Sequence, residues 1–187
     1  MMKITRALAI VSLVMVYSFP SQAGSTGLCV ETVEASLEAG DPKVTLEQYF
    51  NCEKYEGSAY EAIASGSKKW VRLAEKMLPH SDACYTEGIQ ASLGRAMQRS
   101  PKNVLPLVDK APTLSASHIC LPFISNEIPI RQQLTEVANS RLAIQGVHDH
   151  RLQIQKAACL KFIGSLEANL NIQASPKPPQ SPNGNQP

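Results

Sequence analysis

Ser67-Lys68-Lys69-Trp70-Val71-Arg72-Leu73-Ala74-Glu75-Lys76-Met77-Leu78-Pro79 decides the fold class. Trp70, Leu73, Ala74, Met77 and Leu78 recur at intervals of three and four, which places them on one face of an α-helix. Ser67 is a natural N-cap, and Pro79 cannot continue a helix. A tryptophan inside so regular a stripe reads as core. The same spacing recurs along most of the chain and strict alternation is nearly absent, so the expected architecture is all-α: about six to eight helices packed as hairpins within residues 24–173.

Upstream, Val30, Val33 and Leu37 mark a first helix ended at Gly40-Asp41-Pro42, where glycine closes one helix and proline opens the next. Leu46, Tyr49 and Phe50 give the apolar face of a second, and Tyr60 to Ala64 a third, stopped near Gly66. Downstream, Ser81 or Asp82 caps a helix bearing Ile89, Leu93, Ala96 and Met97, which Ser100-Pro101 breaks. Pro101 opens a short helix with Val104, Leu105 and Val108. Residues 109–126 read as loop around one compact apolar run, Ile119 to Ile124, which contains Pro122 and so is a poor strand. It is expected to be a buried plug. Ile130, Leu134, Val137, Ala138 and Leu142 mark a long helix, and Leu152, Cys159, Phe162, Ile163, Leu166 and Leu170 another, with a break at 146–149.

Both ends differ in character from this interior. Lys3 and Arg6, the apolar run Ala7 to Phe19 and the small residues Ser21-Gln22-Ala23 have the form of a cleavable export signal, with the mature chain beginning at Gly24. The apolar run is too short to span a bilayer, and Cys29 follows Leu28 too far downstream to be a lipoprotein acylation site. Residues 174–187 are rich in Pro, Asn, Gln and Ser and read as a disordered tail. Export implies a periplasmic or secreted protein with oxidised cysteines. Lys3 and Arg6 also account for the whole formal charge of +2. A mature chain of balanced charge argues against a nucleic-acid or anionic-membrane binder.

Five cysteines can then be paired by geometry. Cys29 and Cys52 lie at nearly equal distances on either side of Gly40, so a hairpin about that turn predicts a Cys29–Cys52 disulfide. Cys120 in the plug and Cys159 on the apolar face of the last helix are placed for a second bond. Cys84 is then a free thiol in the first turn of a helix, most simply a small buried residue. A swapped pairing in which Cys84 replaces Cys120 or Cys52 remains open, as do others.

No motif for catalysis, metal or cofactor stands out: there is no G-x-S-x-G elbow, H-E-x-x-H, C-x-x-C or phosphate-binding glycine loop. His148-Asp149-His150 has the wrong spacing for two ligands on one helical face, and Asp149 reads as a helix cap. His118 beside Cys120 loses its nucleophile if that cysteine is bonded. Glu31, Glu34 and Glu38 form an acidic stripe expected to be a solvated face. Cys84, His80 and Glu87 make the one thiol-based catalytic set worth keeping as an alternative. Tyr60 and Trp70 are candidates for lining a pocket, with core burial the simpler reading.

Leu93-Gly94-Arg95-Ala96, Pro101 with Val104-Leu105, and Ile119-Cys120-Leu121-Pro122-Phe123-Ile124 with a late Cys159 resemble the pattern of a loose group of small exported bacterial proteins. These share an L-G-x-A helix end, a P-x-x-V-L turn and an I-C-x-x-P-F-I plug, which this chain matches with one residue fewer between Cys120 and Pro122. The resemblance covers roughly residues 60–165. It implies a periplasmic helical fold with the plug cysteine bonded to the late-helix cysteine, and it implies no activity. The resulting expectation is a non-catalytic exported protein that binds another protein of the cell envelope, an immunity-type protein being one specific form. The thiol enzyme and a carrier of a small apolar ligand between helices are the alternatives.

Overall fold

The computed structural model describes residues 27–52, 58–122, 124–125 and 127–175. The expected signal at 1–23, nearly all of the Pro-rich tail and Phe123 of the plug lie outside the described residues. Among those described, the chain forms nine α-helices: α1 Val30–Ala39, α2 Pro42–Tyr49, α3 Ala59–Ala64, α4 Lys68–Met77, α5 Ala83–Arg99, α6 Pro101–Val104, α7 Ala116–Ile119, α8 Ile130–Gln145 and α9 Gln153–Ala174. Single 3-10 turns occupy Leu78–His80, Leu105–Leu107, Pro112–Leu114 and His150–Leu152. No strand occurs among the described residues. The fold is all-α, as the apolar spacing requires.

Local chemistry sets several helix ends. The Asp41 carboxylate accepts from the Lys43 backbone N–H at 2.9 Å, and Pro42 fills the first helical position of α2, where its missing N–H costs nothing. Ser58 caps α3 by accepting from the Tyr60 N–H at 3.3 Å. Gly66 adopts φ +77°, a left-handed conformation that lets the chain turn from α3 into α4. Ser36 and Thr45 join their hydroxyls at 3.0 Å across the α1–α2 hairpin, which explains why Thr45 is fully buried.

Helix α5 is the spine, contacting α3, α4, α6, α7 and α8. Its Ile89, Leu93, Ala96 and Met97 are completely buried, and each large apolar side chain removed from water contributes about 1.5–3 kcal/mol. Two glycines let other elements come close to it. At Gly88 the Tyr60 ring fills the space a Cβ would need, at 2.5 Å, and that ring packs edge-on against Phe50 with centroids 5.2 Å apart. At Gly94 the Leu121 carbonyl oxygen lies 1.8 Å from where a Cβ would stand, so the plug backbone rests directly on α5.

The plug differs from the expected loop at its start. Residues 116–119 close one helical turn, α7, with Cys120 as its C-cap, and Pro112–Leu114 forms a 3-10 turn before it. Ile119, Cys120 and Leu121 are buried. Helix α8 also differs from its reading. Its buried residues are Gln133, Val137, Ser140 and Ile144, whereas Leu142 is 67% exposed and Ala138 is exposed. Two polar residues occupy the inner face because partners await them there. Gln133 Nε2 donates to the Ser125 and Ile128 carbonyls, and Gln98 Nε2 on α5 donates to Ser140 Oγ and Glu136 Oε2.

The cysteine pairing corrects one expectation. Cys52 is bonded to Cys84, with Cα atoms 5.8 Å apart, and Cys29 is an exposed free cysteine. The equal-arm argument for Cys29–Cys52 fails because α2 stops at Tyr49 and Phe50 turns extended, with φ −117° and ψ 122°. The two residues that follow lead the chain away from α1 toward the first turn of α5. Cys84 is therefore not a free thiol. Cys120 is bonded to Cys159, with Cα atoms 5.5 Å apart, fastening the plug to α9. The two bonds span separations of 32 and 39 residues.

Candidate functional site

The plug and α9 do not close completely on one another. Between them and the outer side of α5 runs an open groove of about 500 Å³. Leu121, Pro122 and Ile124 of the plug segment and Phe162, Leu166 and Leu170 of α9 make its apolar floor. Phe162, Leu166 and Leu170 recur at helical spacing, so one face of α9 both anchors Cys159 and Ile163 in the core and lines the groove at its edge. The disulfide to Cys159 fixes the plug along this face.

Polar side chains rim the groove, and most already have work within the fold. Gln90 Nε2 donates to the Thr113 carbonyl at 2.7 Å, and Gln133 holds the Ser125 and Ile128 carbonyls. His118 Nδ1 is 2.9 Å from Ser115 Oγ and 3.2 Å from the Pro112 carbonyl oxygen, and Ser117 Oγ is 2.9 Å from Ser115 Oγ. Glu87 and Gln173 complete the rim.

Of the thiol-based set, only Glu87 lies at this groove. His80 sits exposed in the 3-10 turn after α4, and the Cys84 sulfur is committed to Cys52. A disulfide sulfur has no proton to give to a base, so the set lacks its nucleophile. Glu31 and Glu34 join α1 to α4 through ion pairs with Lys69 and Lys76, while Glu38 is exposed. The Lys69 ammonium bonded to Glu31 holds that carboxyl below its ordinary pKa, and the same contact raises the lysine. Tyr60 is fully buried and Trp70 is 8% exposed, both in the core.

Asp149 caps the turn before α9, with Oδ1 accepting from the Arg151 N–H at 3.0 Å. The Arg151 guanidinium grips the same carboxylate and holds its pKa at about 2. His148 and His150 stand exposed on either side. No group of three or more His, Cys, Asp or Glu arranged to hold a metal ion occurs among the described residues. No helix among them is long and apolar enough to cross a membrane.

The apolar spacing puts Phe162, Leu166 and Leu170 on the inner face of α9, where Leu170 is buried and Phe162 and Leu166 are partly buried, but it does not show that this face also edges a groove. The available signal was that α9 carries more apolar positions than a single buried stripe needs, with Leu160 and Phe162 following Cys159. Comparison of the chain with family models, with curated proteins and with solved structures found no match.

Proposed function

We propose that this chain is an exported, non-catalytic protein that works by binding another protein of the cell envelope, and that the groove between plug and α9 is where it does so. The observation that carries the reading is the groove's composition. Its lining is about half polar and half apolar, the mix of a protein-binding surface: the strip from Leu121 to Leu170 can take a partner's apolar side chains, and the polar groups around it are largely bonded within the chain. The two disulfides fit an oxidising compartment, and the N-terminal signal pattern supplies the address. The resemblance to small exported bacterial helical proteins supports the same location. An immunity-type protein that caps a secreted toxin is a specific form of this proposal, by analogy of fold and address.

The groove's volume lies within the range that holds small molecules, which favours a second reading, a carrier of an apolar ligand. One experiment separates the two. The mature protein is used as bait in periplasmic extract beside its Leu166→Glu variant, with helical content checked for both. A stoichiometric protein partner held by the wild type and lost by the variant supports the proposal. Partner capture indifferent to Leu166, or displacement of an apolar fluorophore by fatty acid with no protein captured, refutes it. Mass analysis of the same preparation tests the export step, since cleavage after Ala23 gives a chain beginning at Gly24.

A further inference from the structure

A second cleft, of about 450 Å³, opens between α4, α6 and the 150–152 turn and shares no lining residue with the plug groove. Lys68, Arg72, Lys102, Lys110 and Arg151 line it, against Glu75 and Asp149 alone among acids. The whole chain has 18 basic and 16 acidic residues, so this hollow concentrates more positive charge than the entire sequence has in excess.

Both acids are already engaged. Lys110 Nζ bonds Glu75 at 2.8 Å, and Arg151 grips Asp149 at 2.8 and 3.1 Å. Among the described residues, Lys68, Arg72 and Lys102 have no acid of their own, Lys102 having only the field of the already paired Asp149. The contrast along α4 is informative. Its other two basic side chains, Lys69 and Lys76, turn toward α1 and each meets a glutamate. Lys68 and Arg72, one helical turn apart and mutually repelling, turn toward the cleft and meet none. Asn103 Nδ2 donates to the Gly66 carbonyl at 2.8 Å, fixing α6, and with it Lys102, beside the start of α4. All three are exposed, so each is hydrated and adds little strain to the fold, yet together they hold an excess of positive charge around one hollow, which attracts an anion.

We propose that this cleft binds a small phosphate-bearing anion, with Lys68, Arg72 and Lys102 as its ligands. Three positive charges call for an anion carrying more than one negative charge. The planar fork of Arg72 matches two oxygens of one phosphate, and the lysines supply point charges to the rest. The hollow has the volume of a small-molecule site. A free phosphorylated metabolite and a lipid phosphate headgroup share this chemistry. The inference is independent of what the plug groove binds.

Inorganic pyrophosphate, titrated calorimetrically into the full mature chain at low and at physiological salt, tests it. The expected result is saturable one-to-one binding that weakens with salt and raises the melting temperature. The Lys68→Glu, Lys102→Glu double variant should lose at least about tenfold in affinity, and Lys102→Gln alone at least about threefold, both at wild-type melting temperature. Lys161→Glu, an exposed charge reversal on α9, is the control and should change affinity by less than about twofold. Absence of saturable binding, or an equal loss in Lys161→Glu, overturns the site. Citrate binding as tightly as pyrophosphate overturns the phosphate assignment. Capture by vesicles of anionic phospholipid supports a headgroup source if pyrophosphate competes it away, and overturns the proposal if it does not.

Discussion

Replacing Gly94 by alanine should destabilise this protein, although the same change at Gly164, also inside a helix, should do the opposite. Gly94 lies inside α5, where a glycine-to-alanine change by itself stabilises a helix by about 1 kcal/mol. Against that stands the plug. A Cβ on Gly94 would meet the Leu121 carbonyl oxygen at 1.8 Å, its carbon at 2.4 Å and Pro122 N at 2.8 Å. These are backbone atoms, and the segment cannot retreat freely, because Cys120 is bonded to Cys159 while Ile119 and Leu121 are buried. Moving it outward by about 1 Å would forfeit a quarter to a half of each contact across the α5 interface. Overpacking of this kind costs about 1–3 kcal/mol and more where backbone must shift, so a net loss of about 2 kcal/mol is expected. In a domain of this size that lowers the melting temperature by about 4–8 °C. The control is Gly164→Ala on α9, where nothing lies within 4 Å of the added methyl and a gain of up to about 1 kcal/mol is expected. Denaturant unfolding followed by helical circular dichroism measures both. If Gly94→Ala proves as stable as wild type, or both substitutions shift stability in the same direction, the plug does not rest on α5 as described.

Disulfide mapping of the oxidised protein should recover Cys52–Cys84 and Cys120–Cys159, and an alkylating reagent should label Cys29 alone, and rapidly, in the native state. Breaking the plug bond with Cys120→Ser and Cys159→Ser together should lower unfolding free energy by about 3–4 kcal/mol on the chain-entropy estimate; loss of less than about 1 kcal/mol would show that burial alone holds the plug. The Asp149 carboxyl should titrate near pH 2 by NMR, and return toward its ordinary 3.8 in Arg151→Ala. Because its folded pKa is depressed, its contribution to stability is present above about pH 4 and is lost as pH falls toward 2. A wild-type midpoint near 4 would mean that Arg151 does not grip it in solution.

The α4 stripe was readable residue by residue, since Trp70, Leu73, Ala74, Met77 and Leu78 are all buried and the helix ends at Met77 before Pro79. The face of α8 was not, and the reason is physical. Hydrophobic periodicity finds an inner face only where that face is apolar. Gln133 and Ser140 are inside because Ser125, Ile128 and Gln98 supply their hydrogen bonds, the first two from the irregular segment just before α8 and the last from α5, 42 residues from Ser140, and no apolar periodicity reports them. The pattern then pointed to Ala138 and Leu142, which stand on the outside. The cysteines divide in the same way. Cys120 and Cys159 each lie in a strongly apolar segment that must be buried, whereas the partner of Cys52 depended on where α2 stops and which way Phe50 turns. The candidate sites were least legible, because the groove floor looks like core when read along α9 and the basic cleft draws its charges from α4, α6 and two turns.

The resemblance segments acquire a physical connection once folded. Gly94 lies at the point where α5 receives the plug backbone, and the plug's own cysteine is tied to α9. Val104 and Leu105, in the turn that begins at Pro101, are fully buried in the same core. A glycine at that position, a plug that cannot move away from it and a disulfide behind the plug are mutually dependent: a larger residue at 94 needs a looser plug, and a looser plug strains the bond to Cys159. The pattern therefore specifies how one segment is clamped between two helices. It also fixes one wall of the groove, because Leu121 and Pro122, which touch Gly94 on one side, line the groove alongside α9. On the proposed role of the groove, a variant that loosens the clamp should weaken partner binding even when no groove side chain has been changed, so Gly94→Ala should lower affinity for any captured partner along with stability.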